Sequence, residues 1–239
     1  IALLLPLCAG TQTSSPARPE TREAVRARLL SALQARELHQ ATALGEQAVA
    51  RWPQDAGFRH WLGLAHFQSG RNREALEQLA QAEKLAPASF DVQHDLALVY
   101  LAENRHADAA KHLERARRLN PRAAMVRVFL GRAYQNSNRT IQAVEEFRAA
   151  LRLDPRIPLG HYHLGFAYGS LGRNPEAIAE YEKEVAQQDH AEVRYQLGHT
   201  LLESGQWHRA VEHLRRALEL DPQRAAAHYD LGKAQLLLG

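Results

Sequence analysis

The sequence predicts an all-α solenoid of stacked antiparallel helix pairs. Three observations predict it. Ala, Leu, Arg, Glu and Gln dominate a chain that is 45% hydrophobic and 24% charged, so helix formers supply the bulk and a core can be buried. Prolines recur at a fixed period: Pro53, Pro87, Pro121 and Pro155 are 34 residues apart, and Pro222 follows 67 later. Between them, apolar residues recur with helical spacing in two stretches per period.

Taken from the N-terminus, Ile1 to Ala9 is an apolar run too short to span a bilayer, which needs roughly 20 residues. It reads as the tail of a secretory signal with cleavage after Ala9 or Gly10, the sequence beginning inside that signal. Cys8 leaves a second reading open, a lipoprotein signal with a lipid anchor, although Leu7 stands where a small residue is usual. An apolar tail of the array is the third. Residues 11–21, with Pro16 and Pro19, read as a flexible linker. A chain behind such a signal is expected to work outside the cytoplasm, in the periplasm or secreted.

From Arg22 onward the columns hold register. Leu62-Gly63, Leu130-Gly131, Leu164-Gly165, Leu197-Gly198 and Leu231-Gly232 align. So do Ala41, Ala75, Ala109, Ala143, Ala177 and Ala210, and then Ala48, Ala82, Ala116, Ala150 and Ala217. Tyr100, Tyr134 and Tyr168 share a position, and a bulky residue recurs at Leu79, Leu113, Phe147, Tyr181 and Leu214. The units are 22–55, 56–89, 90–123, 124–157, 158–190 and 191–224, with a half-unit 225–239. In the second, helices are expected near Gly57–Gln68 and Asn72–Leu85, with Ser69-Gly70-Arg71 as the stop and Asn72 as the cap. In the fifth, Gly172 stops one helix, Asn174 caps the next and Pro175 sits in its first turn. Each closing Pro lacks an amide donor and ends the second helix. The small columns mark close helix approach, where a bulky side chain would cost about 1–3 kcal/mol. A lone hairpin cannot cover its apolar face; stacked hairpins can. The last unit stops mid-repeat, so a longer natural protein is expected.

These columns resemble the tetratricopeptide repeat (TPR), and the resemblance runs from Arg22 to Gly239. It implies a right-handed superhelix whose first helices line a concave groove for an extended peptide or partner helix. One departure is general: the early Trp is absent, its column holding Arg59, Gln93, Arg127, His161, Arg194 and His228. Another is local. The fifth unit is one residue short, lacks a closing Pro and has Glu184 in place of the late Ala. That irregular joint near Asp189 reads either as drift in a surface turn or as a kink shaping the groove.

First-helix positions outside the core columns give the groove candidates. They are His60, His94, Arg132, Gln135, Tyr162, Phe166, Tyr195, His199 and Tyr229, accompanied by Arg26, Leu64, Leu98 and Val128. Aromatic and imidazole side chains offer large contact areas with polar tips, which suits protein recognition; the alternative use of any one is packing between units. The family's C-terminal carboxylate clamp is not expected, because its columns hold Arg26 with Leu30, His60 with Leu64 and His94 with Leu98.

The net charge of +3 is interleaved, as in Glu114-Arg115, with no block of like charges, so nucleic acid is not an expected partner. Catalysis, cofactor and metal are not expected either. The single Cys is Cys8, no two of the 13 His stand at i, i+4, and no phosphate-binding or nucleophile motif is present. The expected function is a non-catalytic interaction scaffold. The alternative is an accessory domain of a longer enzyme or sensor whose catalytic part lies beyond residue 239.

Overall fold

The structure, a computed structural model, describes residues 20–239. The expected signal, the Cys8 anchor and the linker as far as residue 19 lie outside the described residues. Glu20 and Thr21 belong to the first hairpin: Glu20 pairs with Arg28 and Thr21 Oγ1 accepts the Ala24 N–H at 3.2 Å.

The described residues form thirteen helices and no strand. They pair as α1 (Arg22–Gln34) with α2 (Leu38–Arg51), α3 (Ala56–Gln68) with α4 (Asn72–Leu85), and α5 (Phe90–Ala102) with α6 (His106–Leu119). Next come α7 (Ala124–Gln135) with α8 (Thr140–Leu153), α9 (Gly160–Ser170) with α10 (Asn174–Gln187), and α11 (Ala191–Glu203) with α12 (Trp207–Leu220). Helix α13 (Ala225–Leu238) packs on α12. Each helix packs against its neighbours in the chain, and the buried apolar residues form three clusters, Val25 to Ala65, Ala75 to Val99 and Ala97 to Ala234.

The small and bulky columns meet inside each hairpin. A Cβ on Gly63 would stand 2.7 Å from Leu79 Cγ, one on Gly131 2.5 Å from Phe147, one on Gly165 2.8 Å from Tyr181, and one on Gly198 2.7 Å from Leu214. The first unit exchanges the two sizes: Leu29 stands in the glycine column and Gly45 in the bulky one, both buried.

The turn between paired helices is a Schellman closure. Gly70, Asn104, Asn138, Gly172 and Gly205 are left-handed. The following N–H reaches back to the last helical turn, as from Arg71 to His66 O at 2.9 Å and from Arg139 to Tyr134 O at 2.8 Å. Three of these turns carry a further clasp, an Arg guanidinium over a Tyr ring: Arg105 on Tyr100, Arg139 on Tyr134 and Arg173 on Tyr168. Here the expected caps need correction. Asn72 and Asn174 are the first helical residues, and the cap positions are Arg71 and Arg173, whose side chains make no capping bond. With only three residues between helices, the residue that closes one helix also opens the next. The asparagine arrives one position too late, and Asn72 donates to Glu103 instead. Pro175 does occupy the first turn of α10.

The column without Trp is a row of polar struts. In four units its side chain reaches the carbonyl of the preceding closing proline: Arg59 to Pro53, Gln93 to Pro87, Arg127 to Pro121 and His228 to Pro222. In five it also crosses to the second helix of its own pair. Arg59 donates to Gln78, His112 to Gln93 (2.8 Å), Arg127 to Glu146 (2.9 Å) and His161 to Glu180 (2.6 Å), while Arg194 pairs with His213 (2.9 Å).

Glu184 explains the local departure. It is 3% exposed, and its two oxygens accept the N–H groups of Leu159, His161 and Tyr162 at 3.1–3.2 Å. Helix α9 needs this because Leu159 at its cap is left-handed and makes no side-chain cap. A carboxylate at a helix N-terminus is also favoured by the helix dipole.

Two stability outcomes follow. Gly131→Ala should cost about 1–3 kcal/mol in urea denaturation. Gly232→Ala, whose Cβ would meet nothing within 4 Å, should gain about 0.5–1 kcal/mol from helix propensity; equal effects would refute the close-approach account. Glu184→Ala restores the residue of its column, yet it should lose about 1–3 kcal/mol and speed hydrogen exchange in the first turn of α9. Unchanged exchange there would rule out the capping role.

Candidate functional site

Alternate odd-numbered helices approach one another at backbone level: α1 with α3, α3 with α5, α7 with α9, α9 with α11 and α11 with α13. Even-numbered helices reach each other through long side chains, such as Arg117 of α6 to Glu146 of α8. The odd helices are therefore the inner, more crowded layer, and their free faces line the groove.

In the first three units the groove residues satisfy one another. Arg26 lies over the Trp61 ring at 5.0 Å. His60 Nε2 donates to Asp95 Oδ2 at 2.7 Å and His94 Nδ1 donates to Asp95 Oδ1 at 2.9 Å. His94 stacks on Phe90 and touches Phe129. Both imidazoles are half-buried in a structural network. Val128 is no groove residue: it is 3% exposed and belongs to the core. Val126 and Val128, two residues apart on α7, are both buried, which a column count cannot reveal.

From α7 onward the groove opens into two adjoining cavities that share Phe166 as a wall. The smaller, about 150 Å³, is lined by Arg132, Gln135, Asn136, Tyr162, His163 and Phe166. The larger, about 320 Å³, adds Gly169, Ser170, Tyr181, Gln196, His199 and Glu203. Tyr162 contacts Phe166 and Tyr181, and Tyr195 stacks on His199 at 5.9 Å. His199 pairs with the buried Asp230, and Arg224 lies over Tyr195 while bound to Glu192. Tyr229 stands apart on α13, 74% exposed. Of the sequence-derived candidates, Arg132, Gln135, Tyr162 and Phe166 therefore share one cavity. Phe166 and His199 share the next, with Tyr195 beside it, and His60 and His94 form a separate cluster. Sequence reasoning missed Asp95, Glu192 and Asp230, which hold the ring-bearing side chains in place; their one signal was an acid at the helical positions beside those rings.

The electrostatics favour the neutral forms of Tyr162 and His163. Burial first, then the neighbouring Glu192, push the Tyr162 phenol up to about 12, so it stays an O–H donor. At Asp95 burial works against the carboxylate, but hydrogen bonds from His60 and His94 hold it below its usual range. Burial, with Arg132 nearby, lowers His163 to about 4, and its ring stacks on Phe147 at 5.5 Å. No group of three His, Cys, Asp or Glu side chains among the described residues could hold a metal ion. The arrangement offers aromatic area, hydrogen-bond donors and an unpaired Arg132, which is the chemistry of recognition.

The His163 shift has a stability consequence. The fold holds the neutral ring, so the unfolded chain takes up a proton below its ordinary 6.5 while the folded chain does so only near 4. This contribution is complete above pH 6.5 and declines as pH falls towards 4, by up to about 3 kcal/mol. His163→Gln should therefore lose less stability than the parent between pH 7 and 4.5 in urea titrations. An identical decline would exclude His163 as a source.

The comparisons with known proteins bear on this geometry. A family described as "Tetratricopeptide repeat" matches residues 20–90 and 94–139, and one described as "TPR repeat" matches 131–172 and 198–239. The curated proteins contain no match. Among solved structures, the chain is similar to YrrB, "a TPR protein with an unusual peptide-binding site": 18% identity over 77% of this chain and 96% of that one, TM-score 0.68. It is similar to MamA AMB-1, at 28% identity over 69% and 96%, TM-score 0.63. It is also similar to TTC0263, a thermophilic TPR protein of Thermus thermophilus, at 23% identity over 76% and 100%, TM-score 0.56. With both families placed on the repeats and the same hairpin stack in each neighbour, the chain belongs to the tetratricopeptide repeat family.

Proposed function

We propose that the chain is a non-catalytic scaffold that holds a peptide or partner helix in the groove of α7 to α13, and that it works outside the cytoplasm. The observation that carries the reading is the run of aromatic and donor side chains around two adjoining cavities on the inner layer. Tetratricopeptide proteins are in general scaffolds for protein or peptide partners. The neighbour described as having a peptide-binding site gives the reading a precedent in the same fold. No helix among the described residues is long and apolar enough to cross a membrane. The extracytoplasmic part rests on the signal-like pattern of residues 1–10.

A peptide-display selection against the chain tests the groove. Enriched peptides should bind with an affinity that falls at least about tenfold when Phe166 and Tyr195 are both changed to Ala. Ile141→Ala, on an even helix and 69% exposed, should leave it unchanged. Failure to enrich any peptide, or equal binding by the Phe166/Tyr195 variant, refutes the reading.

A further inference from the structure

Most Lys and Arg side chains of the array are held in an ion pair or hydrogen bond. Among the described residues, those with neither are unevenly spread. Arg26, Arg36, Arg132 and Arg215 are scattered. Lys84, Arg118, Arg122, Arg148, Arg152 and Arg156 all fall on the second helices and closing turns of three consecutive units, and all are exposed.

The repeat sets these in rows on the outer layer. Across the boundary between neighbouring even helices, bonded residues stand 27 to 32 positions apart: Glu83 with Arg115, Arg117 with Glu146, Glu182 with Arg209, and Asp189 with Arg216. Lys84, Arg118 and Arg152 stand one repeat of 34 residues apart, as do Arg122 and Arg156, so each set holds the same position on consecutive units. Arg148 and Arg152 are also one helical turn apart on α8, and Arg156 follows in the closing turn. The nearby Glu114 accepts from the Tyr134 hydroxyl and Glu146 is taken by Arg117 and Arg127, while Glu145 and Asp154 are the exposed acids beside Arg148 and between Arg152 and Arg156. Like charges at such spacings repel and destabilise the free surface, whereas an anionic partner relieves them. Leu119 and Leu153, each next to one of these arginines, remain 41% and 43% exposed.

We propose that this edge of α6 and α8 docks an acidic amphipathic segment of a partner protein, on the layer opposite the groove. Guanidinium forks match carboxylates bidentately, and Glu side chains one helical turn apart meet the Arg148–Arg152 spacing. The leucines need an apolar stripe on the occupant, which a phosphodiester backbone does not provide. No aromatic ring stands among the arginines to stack on a base.

The test uses the full chain and a fluorescent helical peptide of about 18 residues, with Glu and Leu on adjoining stripes, read by anisotropy. The peptide should bind, and more weakly as salt rises. Arg118→Glu with Arg152→Glu should weaken it at least about tenfold, and Arg36→Glu with Arg215→Glu by less than about twofold. Arg118→Gln with Arg152→Gln gives an intermediate loss and serves if circular dichroism shows the reversed pair unfolded. Phe166→Ala with Tyr195→Ala should leave binding intact, which separates this edge from the groove. The proposal is overturned if the parent chain does not bind or if the Arg36/Arg215 variant loses as much. Equal binding of a Gln-for-Glu peptide overturns it too, as does tighter binding of oligothymidylate or of phosphatidylserine vesicles.

Discussion

In four of the helix pairs the backbones approach where one side chain is missing. At Gly63, Gly131, Gly165 and Gly198 a single methyl group would enter the bulky residue opposite, at 2.5–2.8 Å. That fixes how near the two helices of a pair lie, and through it the tilt handed to the next pair. The first unit differs: a Cβ on Gly45 would meet Leu62 of the next unit, at 3.0 Å. Leu29 and Gly45 exchange sizes, and both remain buried. The third unit keeps the small side with Ala97 against Leu113, the smallest residue with a Cβ that the gap accepts. Since interiors are close-packed, a local fault at this contact would propagate along a solenoid whose units rest only on their neighbours.

The polar struts take on a second task. Where an aromatic ring would fill the wedge between hairpins, this chain uses Arg59, Gln93, Arg127, His161 and Arg194 to bind across it. A buried polar group is tolerated only when its hydrogen bonds are made. At Arg59, Gln93 and Arg127 the struts specify direction as well as proximity: the side chain faces both the preceding proline carbonyl and the paired helix. Glu184 follows the same logic. Its charge is buried where three N–H groups converge, and it repairs a helix start that Pro158 and the left-handed Leu159 leave uncapped.

Much of this was legible from the chain alone. The period, the helix pairs and the close-approach columns follow from spacing, because each repeats across units. Features that depend on two residues far apart did not. Glu184 looked like an accident of an irregular unit, since nothing local shows that its oxygens meet the start of α9 some two dozen residues earlier. His60 and His94 looked like free groove side chains until Asp95 was placed between them. Asn72 and Asn174 looked like caps, because a three-residue turn leaves no sign of which residue serves both helices. The arginine edge was hidden for the same reason. Its members stand 34 positions apart, so the linear sequence shows them interleaved with acids, some of which, such as Glu114 and Glu146, are engaged elsewhere.

In a solenoid the position within the repeat decides the face, so a change of residue type along one column is a change along one surface. The groove column begins with Arg26, His60 and His94, which are held by neighbours, and becomes Tyr162, Tyr195 and Tyr229. The outer column is Ala50 in the first unit, Lys84, Arg118 and Arg152 in the next three, and then Ala186 and Glu219. The cationic outer stretch thus ends where the open aromatic groove begins. Both changes occur while the column from Ala41 to Ala210 stays alanine and fully buried. Two independent gradients on opposite faces of one rigid stack are what two separate binding demands would leave behind, one on the inner layer of the later units and one on the outer layer of the middle ones.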